Sequence, residues 1–321
     1  MNVSKPLSSS LSGSIIPMMQ LQGKEEAALW LPLQQDWGNR WCTMPQRYLS
    51  FCDRIDAFET RASDVFVVTF MKCGTTWMQE LAWLLLNRLD FDQAKRSYLM
   101  DRSIFMELST IRDRYGKDSV TVCDQMSNPR LIKTHLPAQL LPREIWLRKR
   151  KIIYVARNAK DVVVSSYHFM KGVGHWEGSI DEFVDEFMKD RVMFTSYLSH
   201  FVDFYRMRNE KNIFFVTYEE MKRDLKQVIE RLVKFLDCQP LDEIQMEQLL
   251  KYLSFENMKS GEHSNPTRYF KARPDFEFMR RGIVGSYKDE LSAAHREALD
   301  NWTQNYLNEY GLNEFEIFGN I

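Results

Sequence analysis

VFVVTFMKCGTTW, residues 65–77, is the stretch that decides the fold class of this 321-residue chain. The β-branched and aromatic run at 65–70 predicts a buried strand, and the apolar pattern after Trp77 predicts a helix. The loop between them directs unpaired backbone N–H groups and the positive end of a helix dipole to one point. Lys72 adds a full charge there. The segment therefore predicts a binding loop for the phosphate or sulfate oxygens of a nucleotide-like anion.

The loop differs from the usual ATP and GTP loop, in which a glycine and four further residues precede Gly-Lys-Ser/Thr. Here Lys72 precedes Gly74, and no segment of the chain has that spacing. Taken alone, the loop is also compatible with an ordinary strand-to-helix turn that carries a surface lysine.

Strand and helix patterns alternate along most of the chain, which predicts an α/β fold in one domain. Near-continuous apolar strands joined by helices are typical of a parallel sheet covered on both faces, with ligands at the carboxyl ends of the strands. A capping-box sequence at Ser179 supports a helix start there. The predicted strands are residues 65–69, 130–134, 151–156 and 212–217, and the predicted helices are residues 76–87, 159–169, a segment after 179, 194–208 and 291–310.

Composition limits the classes of function. A net charge of −1 argues against a broadly basic surface for nucleic acid, so no nucleic-acid partner is expected. No apolar run approaches the roughly 20 residues that cross a bilayer, so no membrane partner is expected. The five cysteines lack metal-binding spacing and suggest reduced thiols, which favours the cytoplasm. Residues 1–20 are rich in small polar residues and predict a disordered lead-in to a domain over 21–321.

Two further segments end strand candidates with reactive or charged side chains. Lys133 and His135 are two residues apart, so they project from the same face of a strand. A histidine at a ligand-binding edge can act as a general base, and a lysine can neutralise developing negative charge. Arg157 ends the next strand, and Ser165 lies in the helix that follows, so both could reach one phosphate. Judged alone, the Lys133–His135 pattern favours a structural histidine beside a solvated lysine, whereas Arg157 and Ser165 are equally compatible with a structural role.

The irregular basic segment 259–281 ends at Met279-Arg280-Arg281-Gly282, which could clamp a second phosphate. Several aromatic residues could stack on a base, although each, judged alone, is better explained as part of the core. They are Trp77, Tyr218 and Phe255.

Together these segments resemble the cytosolic sulfotransferase family. TFMKCGTTW resembles the family's 5′-phosphosulfate-binding loop, and RLIKTHLP resembles the segment with its catalytic histidine. YVARNAKDVVVSSYHF resembles the 3′-phosphate-binding strand and helix, and FMRRGIVGSYK resembles the loop that closes over the nucleotide. The similarity runs from about Leu31 to Tyr310 in the family's order. It implies a P-loop-like fold with a central parallel sheet of about five strands flanked by helices.

The resemblance also implies the donor, 3′-phosphoadenosine 5′-phosphosulfate (PAPS), with no metal. It assigns His135 as the base, with Lys133 and Lys72 stabilising the transferred sulfuryl group. The donor-binding residues that it implies are Lys72, Cys73, Gly74, Thr75, Thr76 and Trp77 in the first loop, Arg157, Ser165, Tyr218, Leu253 and Phe255 in the middle of the chain, and Met279, Arg280, Arg281 and Gly282 near its end.

The chain departs from the family pattern at several positions. Cys73 stands where serine is usual and is a weaker hydrogen-bond donor, and Met71 replaces a common proline. Leu253 replaces a frequent threonine, and Ser286-Tyr287 replaces a common Asp-Trp. The usual Lys-Thr-Val-Glu dimer motif is absent, since the chain reads KDELSAAH from Lys288, which puts a homodimer formed by that route in doubt.

The expected activity is sulfuryl transfer to the hydroxyl of a small hydrophobic alcohol or phenol. Two alternatives stay open: a retinol dehydratase-like elimination with the same donor, and a nucleotide-binding protein with degraded catalysis. Ligand pockets are mainly apolar with few polar anchors. Candidate acceptor-pocket residues are Phe105, His168 and Phe169, with Tyr167 and Trp37 as further aromatic candidates.

Overall fold

A five-stranded parallel sheet forms the centre of the protein, as the sequence predicts. The computed structural model describes residues 4–6, 13–114, 116–270 and 273–319. Four of the five strands coincide with predicted ones to within a residue, and the remaining strand is short and has no clear pattern in the sequence. In chain order the strands of this sheet are β4 (Val65–Thr69), β5 (Ser103–Phe105), β6 (Leu131–Thr134), β7 (Lys151–Ala156) and β8 (Ile213–Thr217).

The strand order β5-β6-β4-β7-β8 places β4 in the centre. Val65 pairs with Leu131 on one side and with Lys151 on the other. All four pairings are parallel, so the carboxyl ends of the strands meet at one edge of the sheet. The Lys72 loop follows β4, and His135 follows β6, at that edge. Topology therefore brings together residues that are far apart in the sequence.

Helices cover both faces of the sheet. Side chains alternate along β4: Phe66 and Val68 pack into one core cluster, and Val65 and Val67 pack into the other. The helices are α1 (Cys52–Asp56), α2 (Thr75–Leu86), α3 (Phe91–Arg96), α4 (Leu99–Arg102), α5 (Ser119–Gln125), α6 (Arg143–Leu147), α7 (Ala159–Gly172), α8 (Ile180–Met188), α9 (Tyr197–Arg206), α10 (Tyr218–Arg223), α11 (Leu225–Phe235), α12 (Glu243–Tyr252), α13 (Phe255–Ser260), α14 (Ala293–Asn308) and α15 (Glu314–Phe318).

Local signals in the sequence account for several helix ends. The capping box predicted at Ser179 is present, since its side chain accepts from the Glu182 amide while the Glu182 carboxylate accepts from the Ser179 amide. Gly311, beyond the end of α14, adopts φ 63°, a left-handed value that glycine tolerates. The dimerisation expectation stays a prediction, and the KDELSAAH segment lies across the start of α14.

Part of the segment 1–20, for which the sequence predicts disorder, belongs to a second, antiparallel sheet at the amino-terminal end. This sheet consists of β1 (Ser4–Pro6), β2 (Met18–Gln22) and β3 (Trp41–Pro45). Met18 and Met19 are buried against the core, so the short apolar run overrides the polar composition before it. Residues 1–3 and 7–12 of the predicted disordered segment lie outside the described residues.

A buried ion pair joins the start of the central strand to its neighbour. The Arg130 guanidinium donates from Nε and Nη2 to the Asp64 carboxylate at 2.8 and 2.6 Å, and both side chains are fully buried. These residues immediately precede β6 and β4. Removing one partner from such a pair leaves an uncompensated charge in the interior.

We predict that Arg130→Met lowers the free energy of unfolding by about 3–5 kcal/mol, because Asp64 loses its buried cation. Urea unfolding followed by circular dichroism measures the change. Arg47→Met is the matched control, since the Arg47–Asp113 pair is exposed to solvent and such pairs contribute about 1 kcal/mol or less. Equal effects of the two variants would contradict the assignment.

Candidate active site

The loop between β4 and α2 has the geometry of an anion-binding turn. Gly74 is the N-cap of α2 and adopts φ 100°, which L side chains rarely adopt. A Cβ at this position would lie 2.8 Å from the Tyr218 ring, so the position requires glycine on both grounds. The hydroxyls of Thr69 and Thr75 are 2.6 Å apart and join the end of β4 to the first turn of α2. The N-terminal amides of a 12-residue helix therefore open at the edge of the sheet.

One cavity of about 830 Å³ lies at the carboxyl ends of the strands and collects most of the predicted site. It is lined by the predicted base, by both lysines and by two of the aromatic residues proposed for the acceptor pocket, Phe105 and Phe169. The predicted site residues that line it are Lys72, Gly74, Thr75, Thr76, Trp77, Phe105, Lys133, His135, Arg157, Ser165, Phe169, Tyr218, Leu253, Phe255, Met279, Arg280, Arg281 and Gly282.

Four candidates do not line this cavity. The Cys73 side chain is fully buried, and its Sγ lies 3.8 Å from the Met71 carbonyl. His168 does not line the cavity, and its Nε2 contacts the Glu290 carboxylate. Tyr167 is buried and accepts a hydrogen bond from Lys171, and Trp37 is buried and donates to the Leu33 carbonyl. The structure therefore does not bring His168, Tyr167 or Trp37 to the wall of this cavity.

Cationic side chains converge on the anion-binding side of the cavity. Burial, together with the neighbouring charges of Arg157, Lys133 and Arg280, lowers the pKa of Lys72 to about 7. Lys72 Nζ lies 3.7 Å from the centre of the Phe278 ring and donates to the Phe278 carbonyl at 3.3 Å. Burial likewise lowers the pKa of Lys133 to about 8, and its Nζ lies 4.4 Å from the Phe105 ring centre.

The arginines are held in place but keep donors directed at the cavity. Arg157 stacks on Tyr218 at 4.4 Å and donates to the carbonyls of Lys72 and Ile283 at 3.2 and 3.1 Å. Its buried Nε, like the buried Trp77 Nε1, has no hydrogen-bond partner among the residues that the structure describes. Arg280 Nη1 lies 2.5 Å from a Glu290 oxygen. Buried donors without partners and crowded cations fit a polyanionic ligand.

The contacts of His135 decide which of its ring nitrogens carries the proton. Nδ1 lies 2.7 Å from the Thr69 carbonyl, which can only accept a hydrogen bond, so Nδ1 is the protonated nitrogen. Nε2 then carries the lone pair. Burial, reinforced by the charge of Lys133, holds the pKa of His135 well below its usual value, so the ring is neutral at physiological pH. A neutral imidazole with a defined tautomer can accept a proton at Nε2.

Sequence reasoning missed several residues of the site. The wall beside His135 is apolar and aromatic, and Phe194 lies 5.4 Å from the histidine ring. The Glu107 carboxylate is buried behind the histidine and accepts from its backbone amide at 2.5 Å. Glu107 lies in an irregular segment without a periodic pattern, and Phe194, the first residue of the predicted helix 194–208, lies in a turn before α9 begins at Tyr197. Other missed wall residues are Leu108, Ile111, Arg112, Met170, Met193, Phe270 and Phe278.

The fold and the site define a sulfuryl- or phosphoryl-transfer class of protein, and comparisons with known proteins give the family. A family model for the sulfotransferase domain matches residues 62–311. Luciferin sulfotransferase of Photinus pyralis is 38% identical over 279 residues, which cover 80% of this chain and 75% of that protein. Human sulfotransferase 1E1 is 32% identical, over 84% of this chain and 92% of that protein. The chain belongs to the sulfotransferase family and is a PAPS-dependent sulfotransferase, as its motifs imply.

Solved structures confirm the fold. A retinol dehydratase in complex with retinol and PAP, the donor product 3′-phosphoadenosine 5′-phosphate, superposes with a TM-score of 0.86 at 23% identity. The match covers 97% of this chain and 98% of that one. Mouse sulfotransferase SULT7A1 complexed with PAP has a TM-score of 0.66 at 21% identity, over 83% and 91% of the two chains. At these identities the likeness concerns the fold.

Within residues 4–6, 13–114, 116–270 and 273–319, no cluster of three or more His, Cys, Asp or Glu side chains has the geometry to hold a metal ion. None of the helices in those ranges is long and apolar enough to cross a bilayer.

We predict that binding of PAP at pH 8 takes up about one proton, because the phosphates raise the pKa of Lys72 from its value of about 7. The affinity for PAP should therefore fall as the pH rises above 7. Calorimetry in two buffers with different ionisation enthalpies measures the proton number. At pH 8 the phosphate itself is already ionised, since its second pKa is about 6.

Lys72→Arg is the matched control, since arginine keeps the charge and does not titrate in this range. Its proton uptake at pH 8 should be smaller than that of the wild type by about one proton, and any uptake that remains comes from Lys133, whose pKa is about 8. An unchanged proton number in Lys72→Arg would contradict the assignment of the proton to Lys72.

Proposed function

We propose that this protein transfers the sulfuryl group of PAPS to a hydroxyl of a small hydrophobic alcohol or phenol, with His135 as the base. The single observation that carries the proposal is the shared cavity. The anion-binding loop, the arginines and His135 Nε2 all face the same space, in which a donor and an acceptor can meet.

The cationic end of the cavity suits the two phosphate positions of the donor. The α2 amides and Lys72 form a site for the 5′-phosphosulfate. Arg157, Arg280 and Ser165 form a site for the 3′-phosphate, with the planar guanidinium groups suited to phosphate oxygens. Gly282 adopts φ 65°, and a Cβ there would lie 2.2 Å from the Phe255 ring. The close approach of this backbone to Phe255 supports an adenine site between Phe255 and Trp77.

The chemistry requires one base and stabilisation of transferred charge. The acceptor oxygen attacks sulfur in line with the bond to the bridging oxygen, that bond breaks, and PAP leaves. The acceptor proton moves to His135 Nε2. Lys72 and Lys133 offset the charge that develops on the bridging and equatorial oxygens. The pKa of Lys133, lowered to about 8, stays above neutral, so its ammonium is the main form at pH 7.

The acceptor end of the cavity favours an apolar molecule. Phe105 packs on the His135 ring at 5.0 Å, and Phe194 packs on it at 5.4 Å. Phe169 and Met193 extend this apolar wall. An aromatic or alicyclic hydroxyl compound fits walls of this kind, because its ring removes apolar surface from water while its hydroxyl reaches Nε2.

We predict that His135→Ala lowers the turnover of a phenol acceptor by about 10²–10⁴-fold, because the acceptor proton loses its base. PAP affinity should stay within about twofold, since the phosphate-binding residues remain. Radiolabelled sulfate transfer and PAP titration measure the two quantities.

His295→Gln is the matched control, since His295 lies on α14, where it contacts Asp181 and Asp185. It should retain wild-type turnover. Near-wild-type turnover by His135→Ala with a good acceptor would refute the assignment of the base.

The likeness in fold to a retinol dehydratase makes elimination the second candidate. In that case the allylic alcohol is first sulfated, and the sulfate ester then loses sulfate and a proton to give an alkene. We predict that the reaction stops at the sulfate ester, because the proposed base, His135, already carries the acceptor's proton after the transfer. Mass spectrometry of the products from retinol and from a phenol distinguishes the reactions. An alkene from retinol would favour elimination, and PAP binding without turnover of any acceptor would favour a nucleotide-binding role.

A further inference from the structure

Glu107 is a buried carboxylate that contacts the backbone of the proposed base. β5 ends at Phe105, which pairs with Lys133, and the Met106 amide continues the ladder by donating to the Lys133 carbonyl at 2.9 Å. The chain then turns away, and the next amide of β6's extension, that of His135, would lose its partner. The Glu107 carboxylate replaces the missing strand carbonyl by accepting from this amide at 2.5 Å.

The carbonyl of His135 is held from the opposite side. His200 Nε2 donates to this carbonyl at 3.0 Å, and the Tyr154 hydroxyl donates to His200 Nδ1 at 2.8 Å. His200 and Tyr154 are buried, on α9 and β7. The amide, the carbonyl and Nδ1 of His135 each have one buried partner, which leaves Nε2 as the nitrogen that faces the cavity.

We propose that Glu107 is a positioning residue, whose ionised carboxylate fixes the backbone of His135 and so the direction of Nε2 at the acceptor hydroxyl. The proposal rests on the role of His135 proposed above. Glu107 lies behind the histidine and does not line the cavity. A charged acceptor gives a hydrogen bond roughly twice as strong as a neutral one, so protonation of Glu107 loosens this contact.

The surroundings of Glu107 make its ionisation responsive near neutral pH. Burial raises the pKa of Glu107 to about 7, while the hydrogen bond from the His135 amide opposes this rise. The titratable groups that face it are Lys133 on β6, Cys42 on β3, Cys123 on α5 and Tyr48. Burial raises the pKa of both thiols and of the phenol well above their usual values, so these three groups are neutral, and Lys133 supplies the charge.

The rate of sulfuryl transfer should therefore depend on whether Glu107 is ionised. The carboxylate is ionised above pH 7 and protonated below it, so the rate of transfer should fall as the pH drops through about 7. The pKa of His135 lies well below its usual value, so protonation of the base belongs to a lower pH range. At saturating PAPS the anion raises the pKa of Lys72 and of Lys133, which moves the titrations of both lysines to higher pH, away from this range.

The test is the single-turnover rate of sulfuryl transfer to a phenol at saturating PAPS, from pH 5.5 to 9. The wild type should lose rate below a midpoint near pH 7. Glu107→Gln keeps a carbonyl oxygen for the His135 amide but removes the charge. It should lower the rate at pH 8 by about tenfold and abolish the midpoint near 7, with PAP affinity unchanged.

Glu107→Asp keeps the charge on a shorter side chain, so it should retain an acidic limb at a reduced rate. A wild-type rate that is constant from pH 6 to 8 would overturn the proposal even if both variants fail to fold. An unchanged midpoint in folded Glu107→Gln would also overturn it. The role of His135 has its own test, because His135→Ala loses the rate at every pH whether or not Glu107 acts through it.

Discussion

Mutual repulsion among buried cations at the carboxyl edge of the sheet is the constraint on which the site depends. Lys72, Lys133, Arg157 and Arg280 reach one cavity from the ends of β4, β6 and β7 and from the segment after α13. Burial, and then the charges of the neighbouring cations, lower the pKa of Lys72 to about 7. Holding these cations close together and away from water costs free energy, and a bound polyanion offsets that cost. The binding energy of the donor therefore comes largely from charges that the fold has already assembled.

The same low-polarity setting gives His135 its reactivity. Burial keeps the imidazole neutral, and the Thr69 carbonyl fixes its tautomer. Glu107 and His200 hold its peptide groups from two sides. The base is therefore oriented by β4, by the turn after β5 and by α9, while the loops around the nucleotide supply the phosphate contacts. A rigid sheet edge suits a step in which the position of one proton acceptor sets the rate.

The sequence predicted the parts of the site that local patterns mark. Strand, glycine loop and helix are contiguous around Lys72, and Lys133 and His135 are two residues apart on a strand. Local pattern and parallel topology were therefore sufficient to predict that both segments lie at the same edge of the sheet. Glu107 follows a three-residue strand with no periodic signal, and its role exists only through β5 pairing with β6. His168 was misplaced because consecutive helical residues point about 100° apart. Ser165 and Phe169 share the cavity face of α7, whereas His168 turns to Glu290.

A crystal structure of the protein with PAP bound tests the central claim most directly. The 5′-phosphate of PAP should lie within hydrogen-bond distance of Lys72 and the first amides of α2. The 3′-phosphate should lie against Arg157 and Arg280. His135 Nε2 should face the 5′-phosphate oxygen that carries the sulfuryl group in PAPS, across the apolar end of the cavity. PAP bound at another surface, or in this cavity with its phosphates away from Lys72 and Arg157, would contradict the account.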